Sequence, residues 1–259
     1  MTKSQLDRYG NVGAFALVIL FNYLATALPL GGRTTGEISD SYSSMFTPAG
    51  FTFAIWGVIY LALAGFVVRQ LLQREGGKRS LEQIAPLFKV NCLANVGWIL
   101  AWQYGQLAVS MALMIVILVT LVKINAILRS DKSIVGALDF ALLVLPFSIY
   151  FGWISVATIA NVSVLQSAYG FNEVLLSQEV WTFLKLGLAG AAAFVVGWRQ
   201  ANAAYLLVIA WAAYGIAEAN VTNPTVEMAA QELVLVTLAL GVLLGLKRAR
   251  SLFRIQSSI

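Results

Sequence analysis

Apolar runs of about twenty residues recur along the chain near 12–30, 49–72, 86–105, 107–128, 137–166, 179–198, 201–219 and 228–247, each bounded by polar or charged residues. Wound as α-helix at 1.5 Å per residue, such a run spans the roughly 30 Å hydrocarbon core of a bilayer. Backbone amides in lipid have no water to bond, so a crossing segment satisfies them internally, as a helix does. The pattern therefore predicts an all-α polytopic membrane helix bundle of about eight transmembrane helices. The division between the third and fourth runs rests on Gly105-Gln106 alone, but a merged helix over 86–128 would be too long for one crossing. The first run, Val12 to Leu30, is too long for a signal-peptide core and lacks a small-residue cleavage site before Arg33, so it reads as a retained helix.

Composition supports the same class. The 259 residues are 59% hydrophobic and 11% charged, with a mean hydropathy of +0.80, whereas soluble domains carry about 25% charged residues. The formal charge of +5 carries topological information rather than a nucleic-acid footprint. With eight spans, Lys3, Arg8, Arg69, Arg74, Lys78, Arg79, Lys89, Lys123, Arg129, Lys132, Arg199, Lys247, Arg248, Arg250 and Arg254 all fall at connections or termini on one side. Only Arg33 lies opposite, and Lys185 is intramembrane. The positive-inside rule then places both termini in the cytoplasm of a multi-pass protein of the inner cell membrane. There is no histidine, which removes the commonest general base and metal ligand, and the single Cys92 lies in an apolar run as a small hydrophobe.

Seven tryptophans stand out. Trp181 and Trp198 sit at the ends of the sixth run, where an interfacial aromatic belt explains them. Trp56, Trp98, Trp102 and Trp153 lie deeper, where an indole N–H needs a partner and a flat ring offers a stacking surface, so these four are candidates to line a pocket for a planar apolar ligand. The fifth run contains Trp153-Ile-Ser155-Val-Ala157-Thr158-Ile-Ala-Asn161, the second enters through Thr47-Pro48 and continues to Trp56-x-x-x-Tyr60, and the third holds Asn95-x-x-Trp98 followed by Trp102. These segments resemble the signatures of the TspO/MBR family: the tryptophan-rich sensory proteins, also called translocator proteins or peripheral benzodiazepine receptors. The resemblance covers about residues 10–167 and implies a five-helix core with a ligand cavity roofed by the first long loop. The cavity would be lined by Trp56, Tyr60, Asn95, Trp98, Trp102, Trp153, Ala157 and Asn161. Where the family has a second proline this chain has Ala49, the nearby aromatic is Phe51, and Pro146 lies about one turn further from Trp153 than usual. On this reading residues 1–167 form a TspO-like five-helix domain and 168–259 a three-helix C-terminal membrane extension.

Spacing gives the same residues a role independently. Positions 153, 157 and 161 project near one helical face and align an aromatic platform, a small gap and an amide. Close packing at Ala157 and interhelical bonding by Asn161 are the alternative reading. The loop from Gly31 to Pro48 is long, polar and rich in turn formers, as lids and plain connectors both are. Lys185 is the clearest intramembrane charge, with Glu218 and Glu232 near the ends of the last two runs; a buried pair among them, or an ion pathway with Asp139 as a further member, would account for the group. Gly187, Gly190 and the Gly241/Gly245 pair read as close helix contacts. Asn220-Val-Thr222 forms a glycosylation sequon.

The function expected is that of an integral membrane receptor or carrier for a hydrophobic planar ligand, tetrapyrrole-like or sterol-like. The alternatives are a secondary transporter using the intramembrane charges, and a membrane enzyme that degrades its bound pigment. No nucleophile–base pair, phosphate loop or metal cluster is legible, so no catalysis and no cofactor are expected. The partners expected are the ligand and the lipid bilayer, with a homodimer admitted and nucleic acid not.

Overall fold

A computed structural model of the chain describes residues 2–28, 30–42, 44–72, 77–171 and 173–256. Its helices are α1 (Lys3–Ala27), α2 (Thr35–Asp40), α3 (Ile55–Leu71), α4 (Lys78–Gln103), α5 (Leu107–Ser130), α6 (Ala137–Ala168), α7 (Gln178–Trp198), α8 (Ala203–Ala219) and α9 (Pro224–Gln256). Seven are long and apolar enough to cross a membrane, α3 counted with the 3₁₀ turn Gly50–Ala54 that leads into it. The eighth apolar helix, α8, has 17 residues, about 25 Å of helix and the lower limit for a crossing. The chain is a multi-pass helical membrane protein.

Local chemistry sets the boundaries. Thr2 and Gln5 form a capping box at the start of α1, Ser177 caps α7 by accepting from the Val180 N–H, and Asn202 caps α8 by accepting from the Tyr205 N–H. The third and fourth runs are separated at Gly105, whose φ of +69° is open to glycine at little steric cost. In α6 a wide π turn over Phe140–Val144 precedes Pro146, which has no N–H to return to Leu142. A second π turn, Ala193–Trp198, ends α7.

The chain divides into two compact units, residues 1–41 with 55–154, and residues 42–54 with 155–259. The boundary differs from the sequence division at 167: it falls inside α6, and a piece of the first long loop belongs with the C-terminal helices.

In the first unit, polar contacts gather the start of α1, the end of α3, the start of α4, the end of α5 and the start of α6 at one end. Lys89 pairs with Asp7, Asn11 Nδ2 donates to Gln70 Oε1 at 2.9 Å, and Arg69 Nε donates to Asp139 Oδ1 at 2.9 Å. The Ser80 hydroxyl donates to Asp131, and the Gly77 N–H to Ser133 Oγ. Burial alone would raise the Asp131 carboxyl, but hydrogen bonds from Ser133 and Ser80 outweigh it and hold the group below its usual range. This is the end that the sequence marks with basic residues. Asp139 is thus tied to Arg69. Arg74 and the side chains of Arg248, Arg250 and Arg254 lie outside the described residues.

The 31–48 loop is built in two parts. Thr34 opens α2 with a capping box, its N–H donating to the Glu37 carboxylate at 2.6 Å, and the Thr35 carbonyl accepts from Trp102 Nε1 at 3.2 Å, which fixes α2 to α4. Within the second unit, residues 42–54 are strapped to α8. The Ala49 N–H donates to the Gly215 carbonyl at 2.9 Å, Trp211 Nε1 to the Thr52 carbonyl at 3.0 Å, and Asn220 Nδ2 to the Met45 carbonyl at 2.8 Å. Gly215 is what permits the approach: a Cβ there would stand 2.0 Å from Thr52 Oγ1. The sequon residue Asn220 is therefore buried as a strap anchor.

Candidate ligand site

Residues four apart on a helix lie one above the other, and two such pairs build the site. On α3, Trp56 and Tyr60 stack with ring centroids 5.5 Å apart and planes 21° apart; on α4, Trp98 and Trp102 stack at 6.0 Å and 26°. The pairs meet through Trp56 and Trp98 at 5.9 Å, and α6 adds Tyr150 and Trp153 edge-on to Trp56 at 5.9 and 6.2 Å. Trp56 thereby touches four aromatic rings. Trp98, Trp102, Tyr150 and Trp153 are buried, while Trp56 and Tyr60 are half-buried and form the accessible side of the cluster.

Polar order within this apolar cluster comes from Asn95, which is buried on α4. Its Nδ2 donates to the Tyr150 hydroxyl at 2.9 Å, and its Oδ1 accepts from Asn22 Nδ2 of α1 at 2.9 Å. One side chain thus ties α1, α4 and α6 together. The Trp102 indole N–H is satisfied by the Thr35 carbonyl, whereas the buried N–H of Trp98 has no hydrogen-bond partner among the described residues.

Ring contacts this close leave no slot for a flat molecule. Placing a planar ligand between two ring faces needs about 7 Å between them, twice a van der Waals contact. A ligand therefore meets the edge of the cluster at Trp56 and Tyr60, or parts the rings by rotamer changes.

The structure brings together Trp56, Tyr60, Asn95, Trp98, Trp102 and Trp153, all in the first unit. Ala157, half-buried, and Asn161, buried, follow Trp153 by one and two turns on α6 and belong to the second unit. Tyr150 and Asn22 are site residues beyond the sequence reading. Asn22 carried a signal, being an amide in the middle of the first apolar run; Tyr150 lies three residues before Trp153 and so on the same side of the helix.

The charged group is arranged otherwise than the sequence suggests. Lys185 makes no ion pair with any described residue. Glu218 is exposed beside Tyr214, one turn earlier on α8, and Glu232 is exposed on α9. Lys185 instead lines a small cavity of the second unit with Ser44, Met45, Ser163, Gln178, Trp181 and Thr182.

No curated protein and no solved structure matches the chain. The family model for TSPO-like proteins matches residues 8–244, which takes in α7, α8 and most of α9 as well as the helices that carry the tryptophan signatures. With nearly the whole length matched, and with the signature residues Trp56, Tyr60, Asn95, Trp98 and Trp153 drawn into one cluster, the chain belongs to the TSPO-like protein family.

Proposed function

We propose that the protein is a membrane receptor or carrier for a flat hydrophobic molecule of tetrapyrrole or sterol-like type, held at the aromatic cluster of the first unit. The observation that carries this reading is Trp56, in contact with four rings beside a buried amide and a buried indole N–H without a partner. Aromatic pairs contribute about 0.5–1.5 kcal/mol each beyond area burial, and a few polar groups orient a ligand in an otherwise apolar site. Ring-to-ring contacts exchanged for ring-to-ligand contacts keep most of that stabilisation, so the cluster can open to a planar guest at low net cost. The proposed act is binding rather than turnover, and the basic end of the first unit is proposed to face the cytoplasm.

Titration of the protein in nanodiscs with a porphyrin, read by quenching of tryptophan fluorescence, tests the site. Saturable quenching is expected, weakened severalfold or more by Trp56→Ala and by Trp153→Ala, and unchanged by Trp198→Phe at the exposed end of α7. Unaltered affinity in well-folded Trp56→Ala and Trp153→Ala proteins would overturn the reading. Reporter fusions after Glu37 and after Ser167 test the orientation, both being expected on the side opposite the cytoplasm.

A further inference from the structure

The cavity at Lys185 is a second site with a different chemistry. It lies wholly within the second unit, between the strap residues Ser44 and Met45, Ser163 of α6, and Gln178, Trp181, Thr182 and Lys185 of α7. None of its lining residues is acidic, so the Lys185 ammonium has no charge partner in the wall. The buried Trp181 indole N–H has no hydrogen-bond partner among the described residues. Among the other polar groups, the Thr182 hydroxyl donates to the Gln178 carbonyl and the Ser163 hydroxyl to the Ile159 carbonyl, while the Ser44 Oγ accepts from the Phe46 N–H and the Gln178 amide gives one N–H to Glu173. The wall thus offers a guest a cation and neutral donors, the Trp181 N–H and the Ser44 hydroxyl, and no carboxylate, which favours an anionic oxygen.

Size narrows the class. The cavity measures about 10 Å³, roughly one water-sized sphere. One anionic oxygen fits there and a whole ligand does not, and a flat carboxylate brings less bulk to the mouth of the cavity than a tetrahedral phosphate. The rest of the molecule must stay outside, and the surface beside Lys185 on α7 is apolar, with Leu184 54% and Leu188 58% exposed. Lys185 stands seven residues into α7, roughly 10 Å along its axis. An acyl chain lying on those leucines would put its headgroup at that depth.

We propose that Lys185 and Trp181 form a carboxylate-binding site, which takes the headgroup of a long-chain fatty acid from the bilayer. It shares no residue with the aromatic cluster.

The test is saturation binding of radiolabelled oleate to the protein in phosphatidylcholine nanodiscs, with empty nanodiscs subtracted. Saturable one-site binding is expected, weakened at least tenfold in Lys185→Met, largely kept in Lys185→Arg, and weakened severalfold in Trp181→Phe, which removes the N–H along with part of the ring. Methyl oleate, without the anion, should not compete. Millimolar acetate distinguishes the sources: no competition marks a membrane fatty acid, while full displacement overturns the lipid assignment in favour of a free carboxylate. Oleate affinity unchanged in Lys185→Met, or equal competition by methyl oleate, overturns the site altogether. If Lys185→Met does not stay monodisperse, Lys185→Arg and Trp181→Phe decide: wild-type affinity in Trp181→Phe with none in Lys185→Arg defeats the two-donor geometry. Porphyrin quenching should be unaffected in Lys185→Met, which separates failure here from failure at the aromatic cluster.

Discussion

Arg69 and Lys185 are both cations within apolar helices, and the two units treat them in opposite ways. In the first unit Arg69 is fully buried and bonded to Asp139 across the helices. In the second unit Lys185 is half-buried, has no ion pair among the described residues, and faces a small cavity. A guanidinium taken wholly out of water is tolerable only with a carboxylate beside it, whereas an ammonium on a flexible stem can stay charged at a partly wet wall. Pairing therefore marks a structural charge, and lack of a partner marks one left available to a ligand.

The largest effect expected from this contrast is at the buried pair. Asp139→Asn takes the carboxylate charge away from the buried Arg69 guanidinium and should cost about 3–5 kcal/mol, read as a fall in thermal midpoint of the detergent-solubilised protein, whereas the double change Arg69→Met with Asp139→Leu should recover most of it. If Asp139→Asn unfolds at the wild-type temperature, the two cations do not differ in kind. Next is the strap of the second unit: Gly215→Ala drives a methyl into Thr52 and should cost about 1–3 kcal/mol, partly relieved when Thr52→Ala is added. Removing the polar tie of the first unit by Asn95→Ala takes one partner from the Tyr150 hydroxyl and leaves Asn22 with its bond to the Val18 carbonyl, and should cost about 1–2 kcal/mol, measured in the same melts.

Lys185→Met sharpens the comparison from the other side. No partner is orphaned, so stability should stay within about 1 kcal/mol of wild type or rise; a loss as large as that of Asp139→Asn would mean that Lys185 is structural after all. The smallest effect belongs to α2. Hydrogen bonds from the Thr34 N–H and then its hydroxyl hold the exposed Glu37 carboxyl below its usual value. Because the folded value is the lower one, its contribution is present above the ordinary carboxylate range and lost as pH falls through the folded value. Amide protection factors over Thr34–Asp40, corrected for the intrinsic exchange rate at each pH, should therefore fall in Glu37→Gln and at acid pH, with no change in the transmembrane helices.

The sequence by itself determined the span pattern, because twenty-residue apolar runs have only one economical conformation in lipid, and it determined the family through Trp153-x-Ser155-x-Ala157-Thr158 and the paired aromatics of α3 and α4. The four-residue spacings of Trp56/Tyr60 and Trp98/Trp102 fix each stacked pair within its own helix, so these were legible before any fold was known. Which pair meets which was not: Tyr150 and Asn22 join the cluster through helices distant in the chain, and no local pattern encodes that approach. The charges show the same limit. Depth in a hydrophobic run is a property of the sequence, and it singles out Lys185, but a partner is chosen by which helix faces come together. That choice gave Asp139 to Arg69, left Glu218 and Glu232 exposed, and split the first long loop between α2 and a strap on α8, since close packing against Gly215 and the bonds to Trp211 and Asn220 exist only in the assembled helices.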